Sequence, residues 1–222
     1  YRINGQKTWI SNAHISDHIL LVARTADTGH KHQGITMISV PASAPGIEVR
    51  PISTMGLEVN DVFFTDCAVS RERLVGVEGQ GWSQLIRGLN TERVIVGALA
   101  LGQARRAFDD TLAYVKRREQ FGRPVGAFQA VSHPLADLAT EIEATRLLVH
   151  DVAQRVDENP GVLMPREASM VKLKATELAK RAALEGMQLM GGMGYTAEGG
   201  MEEQVRATLP GTIAGGTSQV QR

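Results

Sequence analysis

Cysteine is almost missing: Cys67 is the single one in 222 residues. One thiol excludes an internal disulfide framework and a cysteine-built zinc site. It fits a reducing compartment and reads as a small core residue. Net charge is missing as well, because 24 Lys and Arg balance 24 Asp and Glu. Such a chain has no general field to gather nucleic acid or an anionic membrane surface. No apolar run is long enough to span a bilayer. The six histidines (His14, His18, His30, His32, His133 and His150) show no ligand spacing with carboxylates or Cys67, so no metal is assigned. No internal repeat or low-complexity tract is present. The chain opens in what reads as a strand and stops in what reads as the start of a helix. It is therefore expected to be a fragment of a longer chain.

What is present divides into two grammars. Residues 1–78 read as antiparallel β structure. Asn4-Gly5 lies between two strand-like stretches and predicts a hairpin. Runs at 18–24, 34–40, 46–52 and 61–69 are short, rich in β-branched and aromatic residues, and separated by turn formers. No helical pattern lies between them, which excludes parallel βαβ units. Residues 79–222 read as helical. One long helix is expected from about Trp82 to Arg118. A second runs from about Ser132 to Asp157, with Ser132 as cap and Pro134 in the first turn. A third runs from Pro165 to Met190 and ends on the glycines at 191–194. A fourth begins at Ser218 and is cut off. The fold class is α+β: an incomplete antiparallel β domain, then an antiparallel four-helix bundle.

Several stretches could carry chemistry, each with a bland alternative. In "RREQFGRPVGAFQ" (117–129), basic residues bracket Phe121-Gly122, a pattern that suits phosphates or a solvated helix end. "QLMGGMGY" (188–195) is a glycine-rich loop or a helix stop. In "TWISNA" (8–13), period two puts Trp9 and Ser11 on one side of a strand. An indole beside a hydroxyl can shelve a planar ring, or Trp9 can be core. In "LNTERVIVGA" (89–98), Leu89 and Val96 mark a buried stripe with Glu92 beside it. Glu92 is either a surface partner of Arg93 or a carboxylate facing an apolar pocket, where it would be a competent base. "TIAGGTSQVQR" (212–222) offers bare backbone donors and hydroxyls but no acid and no base.

The order of these stretches is specific. "WISNA", then "GITMISVPASAPGIEV" and "DVFFTDCAV", then "GLNTERV…REQFGRPVGAFQ", "LMGGMGY" and "IAGGTSQVQR" resemble the acyl-CoA dehydrogenase family of flavoproteins over essentially the whole chain. The resemblance implies a preceding helical domain absent from this chain. It also implies FAD as cofactor, an acyl-CoA substrate and an electron-transferring flavoprotein as electron acceptor. A homodimer or homotetramer follows, in the cytoplasm or, in a eukaryote, the mitochondrial matrix. Carried over residue by residue, Trp9, Ile10 and Ser11 would meet the flavin ring. Arg118, Phe121 and Gln129 would reach the FAD of a neighbouring subunit. Gln188, Met190, Gly191 and Gly192 would line its adenine-pyrophosphate side. Thr217, Ser218 and Gln219 would contact the diphosphate, and Arg93 would face the acyl-CoA.

Many members of that family carry the catalytic Glu directly before the last Gly-Thr. Here that position is Gly215, and Ala214 replaces an aromatic common before it. A minority place the Glu on the long helix, which here is Glu92. The resemblance thus implies Glu92 as base, with the Gly215 backbone N–H donating to the thioester oxygen. Ala214 leaves room for a branched or bulky acyl group, with a straight short chain as the alternative, and residues 55–64 are shorter than the family's usual stretch. The competing reading is a non-dehydrogenating member: a structural subunit of a hetero-oligomer, or a flavoprotein of different chemistry.

Overall fold

The computed structural model describes residues 1–222. They form two compact units, Tyr1–Gly88 and Leu89–Arg222, that divide within one long helix.

The first unit holds two three-stranded antiparallel sheets. β1 (Arg2–Ser11), β5 (Val59–Ala68) and β4 (Ile47–Ile52) form one, in that order. β2 (His18–Arg24), β3 (Ile35–Pro41) and the short β6 (Leu74–Val75) form the other. Inward residues of both sheets, among them Ile3, Leu21, Ile38, Val40, Val62 and Phe64, make one core. Cys67 is fully buried in it, and burial pushes its thiol above the ordinary range.

The Asn4-Gly5 hairpin does not form. Residues on both sides of it pair with the same partner, β5. From Ile3 to Gly5 the register advances two residues on β1 but three on β5, so the extra residue is a bulge opposite Asn4. Asp66 sits there with φ +50°, and its backbone N–H donates to Asn4 Oδ1 at 2.8 Å. The turn-forming side chain is satisfied across the sheet, and the strand runs straight through.

The second unit is built on three long helices, α1 (Gly81–Arg117), α2 (Gln129–Glu158) and α3 (Pro165–Met190). A hairpin of β7 (Glu119–Gln120) and β8 (Arg123–Pro124) joins the first two. α2 starts three residues before the expected Ser132 cap. Phe128 is its N-cap, and Pro134 lies inside the helix, past the first turn. The buried stripe of α1 runs through Val94, Gly97, Ala100, Ala104, Ala107 and Val115, not through Leu89 and Val96, which are half-buried. Alanines and glycines let the helices approach closely: a Cβ on Gly97 would overlap Val171 of α3. α4 (Gly192–Tyr195), α5 (Met201–Thr208) and α6 (Ser218–Gln221) complete the unit, with Met201 buried against the Ala-rich core. No helix is long and apolar enough to cross a membrane.

Candidate functional site

In the first unit, the end of β1 is distorted. From Lys7 to Ile10 the strand takes three steps while β5 takes two. The extra residue falls at Trp9, whose φ is +64°. A bulky residue held in the left-handed region costs about 1–3 kcal/mol and persists where surroundings enforce it. The bulge breaks the period-two relation between Trp9 and Ser11. Trp9 is 67% exposed, which rules out the core alternative. Ile10 and Ser11 line a shallow cleft of about 320 Å³, and the buried Asn60 holds the Ile10 carbonyl at 3.0 Å.

In the second unit, the β7–β8 turn puts Phe121 at φ +53° and Gly122 at φ +79°. Two consecutive positive φ values are what a tight two-residue hairpin turn requires, usually met by Asn-Gly. Phenylalanine there is strained, and its side chain is 92% exposed. Only an edge contact with Phe128, centroids 6.1 Å apart, steadies the ring. Arg118 and Phe121 line a cleft of about 510 Å³ together with Gln188, Met190, Gly191 and Gly192. Six residues from two distant stretches therefore share one cleft. Gln129, the first residue of α2, is exposed but does not line it. A Cβ on Gly191 or Gly192 would meet nothing within 4 Å, so both leave open backbone beside the cleft.

Thr217, Ser218 and Gln219 line a second cleft, of about 600 Å³, with Glu177, Lys180 and Arg181 of α3. Thr217 caps α6, accepting from the Val220 N–H. Ser218 is 6% exposed, yet its hydroxyl has no partner within the chain. Preceding it, Gly215 (φ +63°) and Gly216 (φ +95°) form a loop that only glycine adopts readily. The Gly215 carbonyl accepts from Gln221 Nε2 at 3.0 Å, and the Gly216 carbonyl from Lys172 Nζ at 2.6 Å. Neither glycine N–H is used by a hydrogen bond in the chain.

Glu92 is exposed, makes no ion pair and lines none of these clefts, so neither the surface Glu–Arg pair nor the apolar pocket is formed. It stands on a face of α1 with half-buried Leu89 and Val96 and exposed Ile95 and Leu99, its neighbours at helical spacing. Next to it, Arg93 is half-buried with Nε lacking a partner, as does the buried Asn90 Oδ1. Arg93 is close enough to Lys172 for its charge to add to burial in lowering that lysine's pKa. Lys172 thus feels a charge of its own sign from α1 and donates its one hydrogen bond to the Gly215-Gly216 loop.

Lys172 escaped the sequence reading. The signal was there: it is in phase with Ala168, Ala175 and Ala179 on the buried stripe of α3, where a lysine needs a reason.

Each unit, taken by itself, offers groups that suit part of a dinucleotide flavin. An exposed strained indole suits a planar ring. Open glycine backbone, guanidinium groups and an orphaned buried hydroxyl suit phosphates.

Models of the acyl-CoA dehydrogenase middle domain and C-terminal domain match residues 1–67 and 79–222. The probable acyl-CoA dehydrogenase YngJ of Bacillus subtilis is 37% identical over 229 residues, covering 100% of this chain and 59% of that protein. The short/branched chain specific mitochondrial acyl-CoA dehydrogenase of Bos taurus is 37% identical over 225 residues, covering 100% and 51%. Among solved structures, an acyl-CoA dehydrogenase from Geobacillus kaustophilus superposes with TM-score 0.95 at 35% identity, covering 100% of this chain and 59% of the other. A structure of PigA with FAD and proline superposes with TM-score 0.93 at 28% identity, covering 100% and 58%. The chain thus spans between half and three-fifths of the length of these proteins.

Proposed function

Since the chain belongs to the acyl-CoA dehydrogenase family, we propose that it carries the catalytic base and most cofactor contacts of an FAD-dependent enzyme converting an acyl-CoA thioester to its 2-enoyl-CoA. The observation that carries this reading is the placement of an unpaired Glu92 beside exposed apolar residues on α1, in the same unit as a glycine loop with unused N–H groups.

Glu92 takes the α-proton as the α–β double bond forms, a role worth about 10²–10⁴ in rate. That proton is weakly acidic until negative charge on the thioester oxygen is stabilised. The Gly215 N–H donates to that oxygen, and such a donor is worth about 10²–10³. FAD, when bound, supplies the acceptor for the β-hydrogen, which leaves as hydride. Trp9, Ile10 and Ser11 pack and hydrogen-bond at its ring system. Thr217, Ser218 and Gln219 hold the diphosphate. Arg118, Phe121 and Gln129, with Gln188, Met190, Gly191 and Gly192, meet the FAD of a neighbouring subunit, so the working form is a homodimer or homotetramer. An electron-transferring flavoprotein takes the electrons onward, in cytoplasm or mitochondrial matrix. The substrate is branched or bulky: Ala214 and Gly215 leave the loop bare, and a Cβ on Gly215 would meet nothing within 4 Å.

A second reading, a flavoprotein of different chemistry, is favoured by one observation: the fold is shared with the PigA structure determined with FAD and proline. Anaerobic titration of the full-length FAD-loaded protein with straight, branched and cyclic acyl-CoAs separates the two. Bleaching of the flavin by a branched thioester at stoichiometric amounts is expected. FAD that stays oxidised with every thioester would favour the second reading.

A further inference from the structure

Lys172 has almost no access to solvent, at 1%, and it has no carboxylate partner. Its neighbours on α3 are Ala168, Val171, Ala175 and Thr176, all buried. Holding an ammonium there is costly unless its hydrogen bonds are fixed. The charge of Arg93 on α1 has the same sign, and burial together with that charge lowers the lysine's pKa. Packing and charge therefore both disfavour a lysine at this position. What it does have is one short hydrogen bond, Nζ to the Gly216 carbonyl at 2.6 Å.

That carbonyl belongs to the loop with most need of restraint. Gly215 and Gly216 in sequence give the backbone its greatest conformational freedom. Upstream, the Ala214 N–H donates to the Pro210 carbonyl at 2.8 Å. Downstream, Gln221 Nε2 reaches both glycine carbonyls, at 3.0 and 3.3 Å. Lys172 and Gln221 thus hold two successive carbonyls. A peptide unit is planar, so these two bonds orient the Gly216 and Thr217 N–H groups directly and restrain the Gly215 N–H only through the neighbouring backbone. The Ala214–Gly215 peptide, which carries the Gly215 N–H, lies between the Ala214 N–H held by Pro210 and the two carbonyls held by Gln221 and Lys172.

We propose that Lys172 is a positioning residue for the reaction, anchoring the Gly216 carbonyl so that the Gly215 N–H is held where the thioester oxygen develops negative charge. This rests on the reading of Gly215 as that donor. Lys172 touches neither substrate nor cofactor; it acts through the loop. A donor displaced by about 1 Å loses about 10²-fold in rate while ground-state contacts largely survive.

The test uses the full-length FAD-loaded protein and its Lys172→Met variant, which keeps the length and removes the donor. FAD content, thioester dissociation constant and flavin reduction rate in anaerobic rapid mixing are measured with the acyl-CoA that bleaches the wild type. The expected variant keeps its FAD and binds the thioester within about threefold, while reduction slows by about 10–100-fold. Its rate also becomes more sensitive to α-deuteration than the wild type's, because proton removal is then the harder step. Unchanged reduction overturns the proposal, as does equal loss of binding and rate, the mark of a merely structural lysine. If Lys172→Met fails to retain FAD, the same measurements are made on Gln221→Met, which removes the other donor to these carbonyls. There, reduction within about twofold of wild type overturns the proposal. A wild type that no thioester bleaches contradicts the proposed function itself, and the loop's role falls with it.

Discussion

Phe121 sits where a glycine or asparagine is ordinarily found, with φ +53° and its ring almost wholly in water. Both features are unfavourable in the free chain, by about 1–3 kcal/mol for the backbone alone. Under the proposed function, a ring held out beside Arg118 and the Gly191-Gly192 backbone would be covered by the cofactor. Phe121→Gly in the full-length protein is therefore expected to leave thermal stability within about 1 kcal/mol of wild type. FAD affinity should fall about tenfold, on the scale of one lost stacking contact, as read by cofactor retention during dilution. Unchanged affinity would remove Phe121 from the cofactor site. Residues of this kind were only partly legible in the sequence. The motif order pointed to Phe121, but its strain is a property of the turn. Lys172 was hidden because a lone lysine in a helix usually means a solvated face, and only the packing of α3 shows otherwise.

Elements were more legible where periodicity is long. The limits of α1 and α3 follow directly from helical spacing and the glycine stop after Met190. Local signals that compete with pairing misled: Asn4-Gly5 reads as a turn, yet its side chain serves a bulge on the opposite strand. α5 was not anticipated, because eight residues carry too little periodicity; its burial comes from Met201 inserted beneath Gly186. Close helix approach explains why α1 carries glycines that lower its intrinsic stability. A Cβ on Gly97 would overlap fully buried Val171, whereas one on Gly102 would meet nothing within 4 Å. Opposite signs are therefore expected in chemical denaturation of the full-length protein. Gly102→Ala should stabilise by about 0.5–1 kcal/mol through helix propensity. Gly97→Ala should destabilise by about 1–3 kcal/mol, since overpacking exceeds that gain. Equal effects at both positions would contradict the close approach of α1 to α3.

The whole molecule divides its chemistry between chain segments. The first unit contributes an exposed indole on a bulged strand; the second contributes two clefts, a glycine loop and Glu92. Under the proposed function, the glycine loop supplies only backbone donors, and the base is the Glu92 carboxylate on α1. The most direct measurement is flavin reduction by the bleaching acyl-CoA in anaerobic rapid mixing, comparing full-length wild type with Glu92→Gln. Glu92→Gln is expected to keep its FAD and bind the thioester, while reduction slows by about 10²–10⁴-fold. Reduction within about threefold of wild type would show that Glu92 is not the base.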